Sequence, residues 1–124
     1  MKIIILLLTL IATSVLSAPA QNMVASEATK HIGETVTICG KISGGRYFEK
    51  NGKTLLNMGA AYPNHSLTIV IEAADRKKFS VKTEDFYTNK EVCIKGEIRD
   101  FKGKPEIQVT EVSQIVVNDP PAKQ

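Results

Sequence analysis

Two stretches of the sequence share one alternating pattern: residues 36–42 read VTICGKI and residues 92–98 read VCIKGEI. Aliphatic side chains at every second position are typical of a β-strand with one buried face. The aliphatic faces consist of Val36, Ile38 and Ile42 in the first stretch and of Val92, Ile94 and Ile98 in the second. Cys39 and Cys93 fall on the opposite faces, so both thiols are predicted to point away from the core.

These are the two cysteines of the chain. If the two strands are antiparallel neighbours, Cys39 and Cys93 meet on one side of the sheet and can form a disulfide. Such a bond would stabilise the fold by roughly 4 kcal/mol in the chain-entropy account. The alternative is a pair of unconnected thiols. A zinc site is disfavoured because two isolated cysteines lack the paired spacing of metal ligands.

Three further strands follow from turn signals and alternation. Asn51-Gly52 favours a tight hairpin between a first strand over residues 35–49 and a second over residues 54–58. A third strand contains Leu67, Ile69 and Ile71, and the fourth covers residues 91–99. After a turn at residues 102–105, a fifth strand begins at Glu106 and shifts phase, which indicates a β-bulge.

The remaining segments lack this alternation. Residues 73–87 are rich in charge and are predicted to form a linker with a short helix, held against the sheet by Phe79 and Phe86. Residues 26–31 are expected to form one helical turn before the first strand.

The predicted architecture is all-β: a five-stranded OB-fold barrel with a short helical or irregular insert between strands three and four. Gly40, in the middle of the long first strand, fits the place where that strand must bend. In this barrel the first and fourth strands are adjacent and antiparallel, which agrees with the pairing of Cys39 with Cys93. A small β-sandwich or an open β-roll is the alternative.

The N-terminus has the pattern of a signal peptide. Lys2 precedes an apolar run over residues 3–12, and Ala18-Pro19-Ala20 offers a small-x-small cleavage site, which predicts a signal peptide over residues 1–20. Cleavage after Ala18 is the alternative. A retained membrane anchor is the other alternative, but the apolar run is shorter than the ~20 residues that span a bilayer and no basic stop-transfer cluster follows it. No membrane span is expected after cleavage. We expect a periplasmic or secreted protein with one OB domain over residues 21–117 and a disordered tail over 118–124.

Several motifs resemble those of the small exported bacterial OB-fold nucleic-acid-binding proteins, whose domain is also found appended to extracellular nucleases. They are residues 31–36 (HIGETV), Asn57-Met58-Gly59 with Tyr62-Pro63, residues 67–71, Arg76 with Lys78-Phe79, and residues 101–107 (FKGKPEI). The resemblance covers residues 28–117. It implies an OB barrel and a nucleic-acid ligand, and it implies no catalytic residues.

OB barrels bind ligands on the face of strands two and three and with the loops that join strands one to two and four to five. Both loops combine basic and aromatic residues, a mixture suited to single-stranded nucleic acid, where cations neutralise phosphates and rings stack on bases. His65 is placed near the same groove. The predicted nucleic-acid-binding residues are Arg46, Tyr47, Lys53, Arg99, Phe101, Lys102 and Lys104.

Other interpretations remain open. Loop lysines are often simply solvated, and removal of Lys2 with the signal peptide lowers the formal charge from +3 to +2, well short of a strongly basic binder. The alternative function is an exported OB module that binds a small ligand, a glycan or a protein partner. An enzyme is not expected, since His31 and His65 belong to no catalytic motif. No cofactor and no metal ligands are predicted.

Overall fold

The fold is described from a computed structural model of the protein, which places residues 22–118. The predicted signal peptide, and all of the predicted tail except Asn118, lie outside the described residues. The strands are β1 (Met23–Val24), β2 (Thr35–Phe48), β3 (Lys53–Gly59), β4 (His65–Ile71), β5 (Glu91–Phe101), β6 (Lys104–Gln108) and β7 (Ile115–Val117). The helices are α1 (Ala73–Arg76) and α2 (Thr83–Phe86), with 3₁₀ helices at Ala25–His31 and Val112–Gln114.

Five of the strands close into a barrel. β2, β3 and β4 form an antiparallel meander, β4 pairs in parallel with β6, and β6 pairs antiparallel with β5. β5 then pairs antiparallel with β2, which returns the sheet to its starting strand. This closed order, with two short helices between β4 and β5, confirms the predicted OB barrel with an insert between its third and fourth strands.

The long strand β2 pairs with two different strands along its length. Its first half, as far as Lys41, pairs with β5, and its second half, from Ile42, pairs with β3. Gly40 lies just before this change of partner, as the sequence predicted for the bend. A Cβ atom at Gly40 would lie 3.0 Å from both Cγ and Sδ of Met58, so the barrel interior leaves little room for a side chain there.

The interior is filled by the aliphatic faces that the alternation predicted, except that Val36 is only partly buried against the core. Ile38, Ile42, Val92, Ile94 and Ile98 are fully buried. The other strands contribute Leu56, Met58, Leu67, Ile69, Ile71 and Ile107, also fully buried. Removal of this apolar surface from water is the main force that stabilises a barrel of this kind.

The disulfide joins the two strands that close the barrel. Cys39 lies directly opposite Cys93 in the β2–β5 ladder, and their sulfurs are bonded at 2.02 Å. Neither cysteine belongs to the buried core, which agrees with the outward orientation predicted from the alternation. The predicted bond is thus confirmed, and the alternative of two free thiols is excluded.

The insert between β4 and β5 packs through one of the two predicted rings and through a second ring that was not predicted. Phe79 is 9% exposed and belongs to the core, as expected, but Phe86 is 38% exposed. Tyr87 is the second buried ring, and it meets Phe79 and Phe86 edge-on with centroids 6.3 and 4.9 Å away. The reason is helical geometry, since Thr83 and Tyr87 lie one turn apart on the face that α2 turns inward.

The predicted bulge in the fifth strand is replaced by a break in the strand. β6 ends at Gln108, a 3₁₀ helix follows, and β7 pairs with residues 92–94 of β5. The Gln114 side chain holds this turn: its Oε1 accepts hydrogen bonds from the backbone N–H groups of Thr110 and Glu111, and its Nε2 donates to the carbonyl of Lys95. The short strand β1, which pairs in parallel with β2, was not predicted.

Between residues 22 and 118, no helix has the length and apolar character needed to cross a membrane.

The disulfide is expected to carry much of the stability. Cys39 and Cys93 are 54 residues apart in sequence, and in the chain-entropy account a loop of this length contributes about 4 kcal/mol. The double variant Cys39→Ala/Cys93→Ala should therefore lose about that much free energy of unfolding in urea denaturation. An unchanged midpoint, either in this variant or in the unmutated protein under reducing conditions, would contradict the assignment.

Candidate functional site

A groove of about 320 Å³ runs over the outer face of β3 and β4. Leu55 and Asn57 of β3 lie directly opposite Val70 and Thr68 of β4, and these four side chains form its floor. They occupy the outward positions of strands whose alternate residues fill the barrel. Val70 is buried although it faces outward, because the walls of the groove cover it.

The hairpin of β5 and β6 forms one wall of the groove. It contributes Arg99, Phe101, Lys104, Pro105 and Glu106. The wall lies beside β4 because β6 pairs with it in parallel, with Glu106 opposite Thr68. The Phe101 ring is 57% exposed and is available to stack against a flat group.

The ends of the groove differ in chemistry. At one end, the ammonium of Lys53 lies 3.5 Å from a carboxylate oxygen of Glu72. At the other end, the rings of Tyr62 and His65 stack with centroids 5.7 Å apart and an angle of 24° between their planes. Tyr62 is 74% exposed, so one aromatic face is presented to a ligand.

The charges of the groove are partly compensated. Its lining holds the cations Lys53, Arg99 and Lys104 and the carboxylates Glu72 and Glu106. Arg99 donates a hydrogen bond of 2.9 Å to Glu106. Among the described residues, Lys104 makes no ion pair. Its ammonium is thus the cation in the groove with the most freedom to meet an anionic group.

Four of the seven predicted site residues line this groove: Lys53, Arg99, Phe101 and Lys104. Arg46 lies opposite Leu55 in the β2–β3 ladder and therefore shares the same outer face, with its guanidinium 4.9 Å from the centroid of the Phe48 ring. Lys102 sits in the turn of the β5–β6 hairpin, where its ammonium lies 5.5 Å from the centroid of the Phe101 ring.

Tyr47 lies on the other face of β2. It is opposite Thr54, whose side chain is buried, and its ring is covered by the guanidinium of Arg76 at 4.0 Å. Arg76 also donates hydrogen bonds to Thr54 and Glu84. The structure thus separates Tyr47, which is 38% exposed, from the other predicted residues and places it beside the polar cluster of Arg76, Thr54 and Glu84.

The predicted site residues include none of the four floor residues and omit one aromatic ring of the groove, that of Tyr62. Leu55 and Val70 had a usable signal, since they are apolar residues at positions that the alternation assigns to the outer face. The alternation gave no signal for Tyr62, because this residue belongs to the connection between β3 and β4, outside any periodic segment; it was noted only as part of the Tyr62-Pro63 motif. His65 was placed near the groove and does line it.

His65 is held in an environment that disfavours its charged form. Its Nε2 lies 2.8 Å from the hydroxyl of Thr68, and its Nδ1 is buried with no hydrogen-bond partner. Burial first, and then the nearby charge of Lys104, lower the pKa of His65 below its ordinary value of 6.5. The ring is accordingly neutral at physiological pH.

In the part of the chain that the structure describes, no three His, Cys, Asp or Glu side chains are grouped so that they could hold a metal ion.

Comparison with known proteins supports the barrel. No protein-family model matches the chain, and no curated protein matches it significantly in sequence. Asparaginyl-tRNA synthetase from Pyrococcus horikoshii is similar in structure over 80% of this chain, with a TM-score of 0.54 and 14% identity. A putative aspartyl-tRNA synthetase from Leishmania major Friedlin is similar over 79% of this chain, with a TM-score of 0.51 and 14% identity.

This chain covers 23% and 21% of those two synthetase chains. At 14% identity the likeness extends to the fold of the barrel.

The environment of His65 leads to a measurable titration. NMR of its ring protons should show a pKa below 6.5, and Lys104→Gln should raise that pKa by removing the nearby positive charge. Lys102→Gln, at the other side of the same turn, is the matched control and should leave it unchanged. A pKa at or above 6.5 in the unmutated protein would contradict the described burial of the ring.

The lowered pKa of His65 also determines how the free energy of unfolding changes with pH. Because the unfolded chain takes up the proton at a higher pH than the folded one, the contribution of His65 is fully present above about pH 6.5 and is lost as the pH falls below it. His65→Gln should therefore show a shallower loss of unfolding free energy between pH 7 and pH 5 than the unmutated protein. An identical pH dependence would count against this contribution.

Proposed function

We propose that this protein is an exported bacterial OB-fold module, without enzymatic activity, that binds single-stranded nucleic acid in the groove over β3 and β4. One observation carries the proposal: a partly apolar floor, exposed aromatic rings and cationic side chains come together on the face that OB barrels use for ligands. Such a site combines the two interactions that single strands need, base stacking and phosphate neutralisation.

The bases have two candidate platforms. Phe101 and Tyr62 are both exposed and both line the groove. Between them, Leu55 offers an apolar side chain that an unpaired base can cover, whereas Val70 beside it is almost fully buried. A duplex would keep its bases stacked within the helix, so rings at this position favour a single strand.

The phosphates have cations within reach of the same groove. Lys104, Arg99 and Lys53 line it, and Arg46 extends the same face across β2. Glu72 and Glu106 already neutralise part of this charge. The proposed affinity is therefore moderate and relies on stacking as well as on charge.

Export is supported by two features. The first 20 residues have the pattern of a signal peptide, and Cys39 and Cys93 form a disulfide, a bond that persists in oxidising compartments. The structural similarity to two tRNA synthetases, whose names include a nucleic acid, agrees with the proposed class of ligand.

A second candidate ligand is an oligosaccharide. Glu72, Glu106 and the amide of Asn57 line the groove, and such groups form hydrogen bonds with sugar hydroxyls, while Tyr62 and Phe101 can cover the apolar face of a sugar ring. OB barrels bind both classes of ligand.

The salt dependence of binding distinguishes the two ligands. We expect a labelled single-stranded oligonucleotide to bind the mature protein at low salt, with a slope of about −2 in log K against log salt if three cations meet phosphates. Lys104→Gln should make this slope shallower by about 0.7. Lys95→Gln, on an exposed part of β5 outside the groove, is the matched control. No binding at low salt would refute the proposal, and a slope near zero would favour the sugar.

Stacking is tested separately from charge. Phe101→Leu keeps apolar bulk but removes the ring, and it should cost about 1–3 kcal/mol of binding free energy, the range measured for one base stacked on one aromatic ring. Phe86→Leu changes an exposed ring that lies outside the groove and should have no effect on binding. Equal effects of the two substitutions in fluorescence anisotropy titrations would argue against a stacking role for Phe101.

A further inference from the structure

A second hollow, of about 290 Å³, adjoins the groove on the far side of Lys104. It lies between the 3₁₀ helix at Ala25–His31 and the turn that contains Gly103 and Lys104. The two cavities share His65, Thr68, Lys104 and Pro105 in their linings. They are therefore two parts of one depression that meet at these four residues.

The second hollow differs from the groove in its chemistry. Ser26, Thr29 and Ser66 contribute hydroxyl groups to its lining, Gly103 leaves backbone accessible, and Lys104 is its one cation. Its described lining contains no carboxylate, whereas the groove holds Glu72 and Glu106. Anionic groups are thus better accommodated in the hollow than in the groove.

The nearest carboxylate along the 3₁₀ helix is already paired. Glu27, next to Ser26, lies 3.2 Å from the ammonium of Lys30 and does not line the hollow. The hydroxyls of Ser26 and Ser66 make no side-chain hydrogen bond with the described residues. They are available as donors to a ligand oxygen.

We propose that the bound strand is longer than the groove, and that its backbone passes over Lys104 into the second hollow. There the hydroxyls of Ser26, Thr29 and Ser66 together with Lys104 bind a phosphate. This inference rests on the proposed function, because it extends the same ligand beyond the first site. It assigns a binding role to the N-terminal 3₁₀ helix, which precedes the barrel.

The length of the ligand provides the test. Oligodeoxythymidylates of about four and about twelve nucleotides both fall within the range of roughly 4–16 nucleotides that one OB barrel binds, the first at its lower end. With the full mature chain, residues 21–124, at low salt, the longer strand should bind at least tenfold more tightly. The shorter strand reports on the groove alone.

Charge changes at the hollow should affect only the longer strand. Thr29→Glu should weaken binding of the twelve-nucleotide strand about fivefold, and Thr29→Lys should strengthen it about fivefold, the size of one charge pair in water-like surroundings. Binding of the four-nucleotide strand should not change. A misfolded variant would not bind more tightly. An increase in affinity in Thr29→Lys therefore cannot be caused by misfolding.

Ser113→Glu is the control, since Ser113 is exposed and lies in neither cavity. If both strands bind equally well, or if the two Thr29 variants affect them equally or not at all, the extension into the hollow is wrong while binding in the groove stands. If neither strand binds at low salt, the proposed function and this inference fail together.

Discussion

The antiparallel ladder between β2 and β5 is the constraint on which the rest of the structure depends. Without it, β2, β3, β4, β6 and β5 would form an open strip with two free edges. The ladder runs from the pair Thr35–Glu97 to the pair Lys41–Glu91, with Ile38 opposite Ile94 inside the barrel and Cys39 bonded to Cys93 outside it. The disulfide thus joins β2 to β5 on the outside of the barrel, and apolar contacts join the same two strands on the inside.

The groove is a consequence of that closure. Closing the barrel requires β6 to lie between β4 and β5, and this brings the hairpin that carries Phe101 and Lys104 alongside the outer face of β4. Leu55 is then partly sheltered from water and Val70 is buried. A shallow, partly apolar floor with charged edges results, in a position where a flexible ligand can lie across the strands.

The alternation of apolar residues placed Cys39 and Cys93 on outward faces, because in a half-buried strand each position has one of two faces. Turn signals, the mid-strand Gly40 and the irregular insert were also needed to predict the barrel and, with it, the pairing of the two cysteines. The same rule explains why the structure separates Tyr47 from Arg46. The two residues were grouped by their closeness to one turn, but both belong to β2, and adjacent residues of a strand point to opposite faces. The position of Tyr62 in the groove and the formation of strand β7 depend on the path of the chain after a turn. Local periodicity does not determine that path.

The most direct test of the central claim is the set of backbone amide shifts that change when a short single-stranded oligonucleotide is added to the isotopically labelled protein. Binding in the groove predicts that the largest changes occur at Leu55, Thr68, Val70 and Phe101, with small changes around Tyr47 and Arg76 on the other side of the sheet. The account is contradicted if the changes centre on Tyr47 and Arg76, or if the spectrum stays unchanged at low salt.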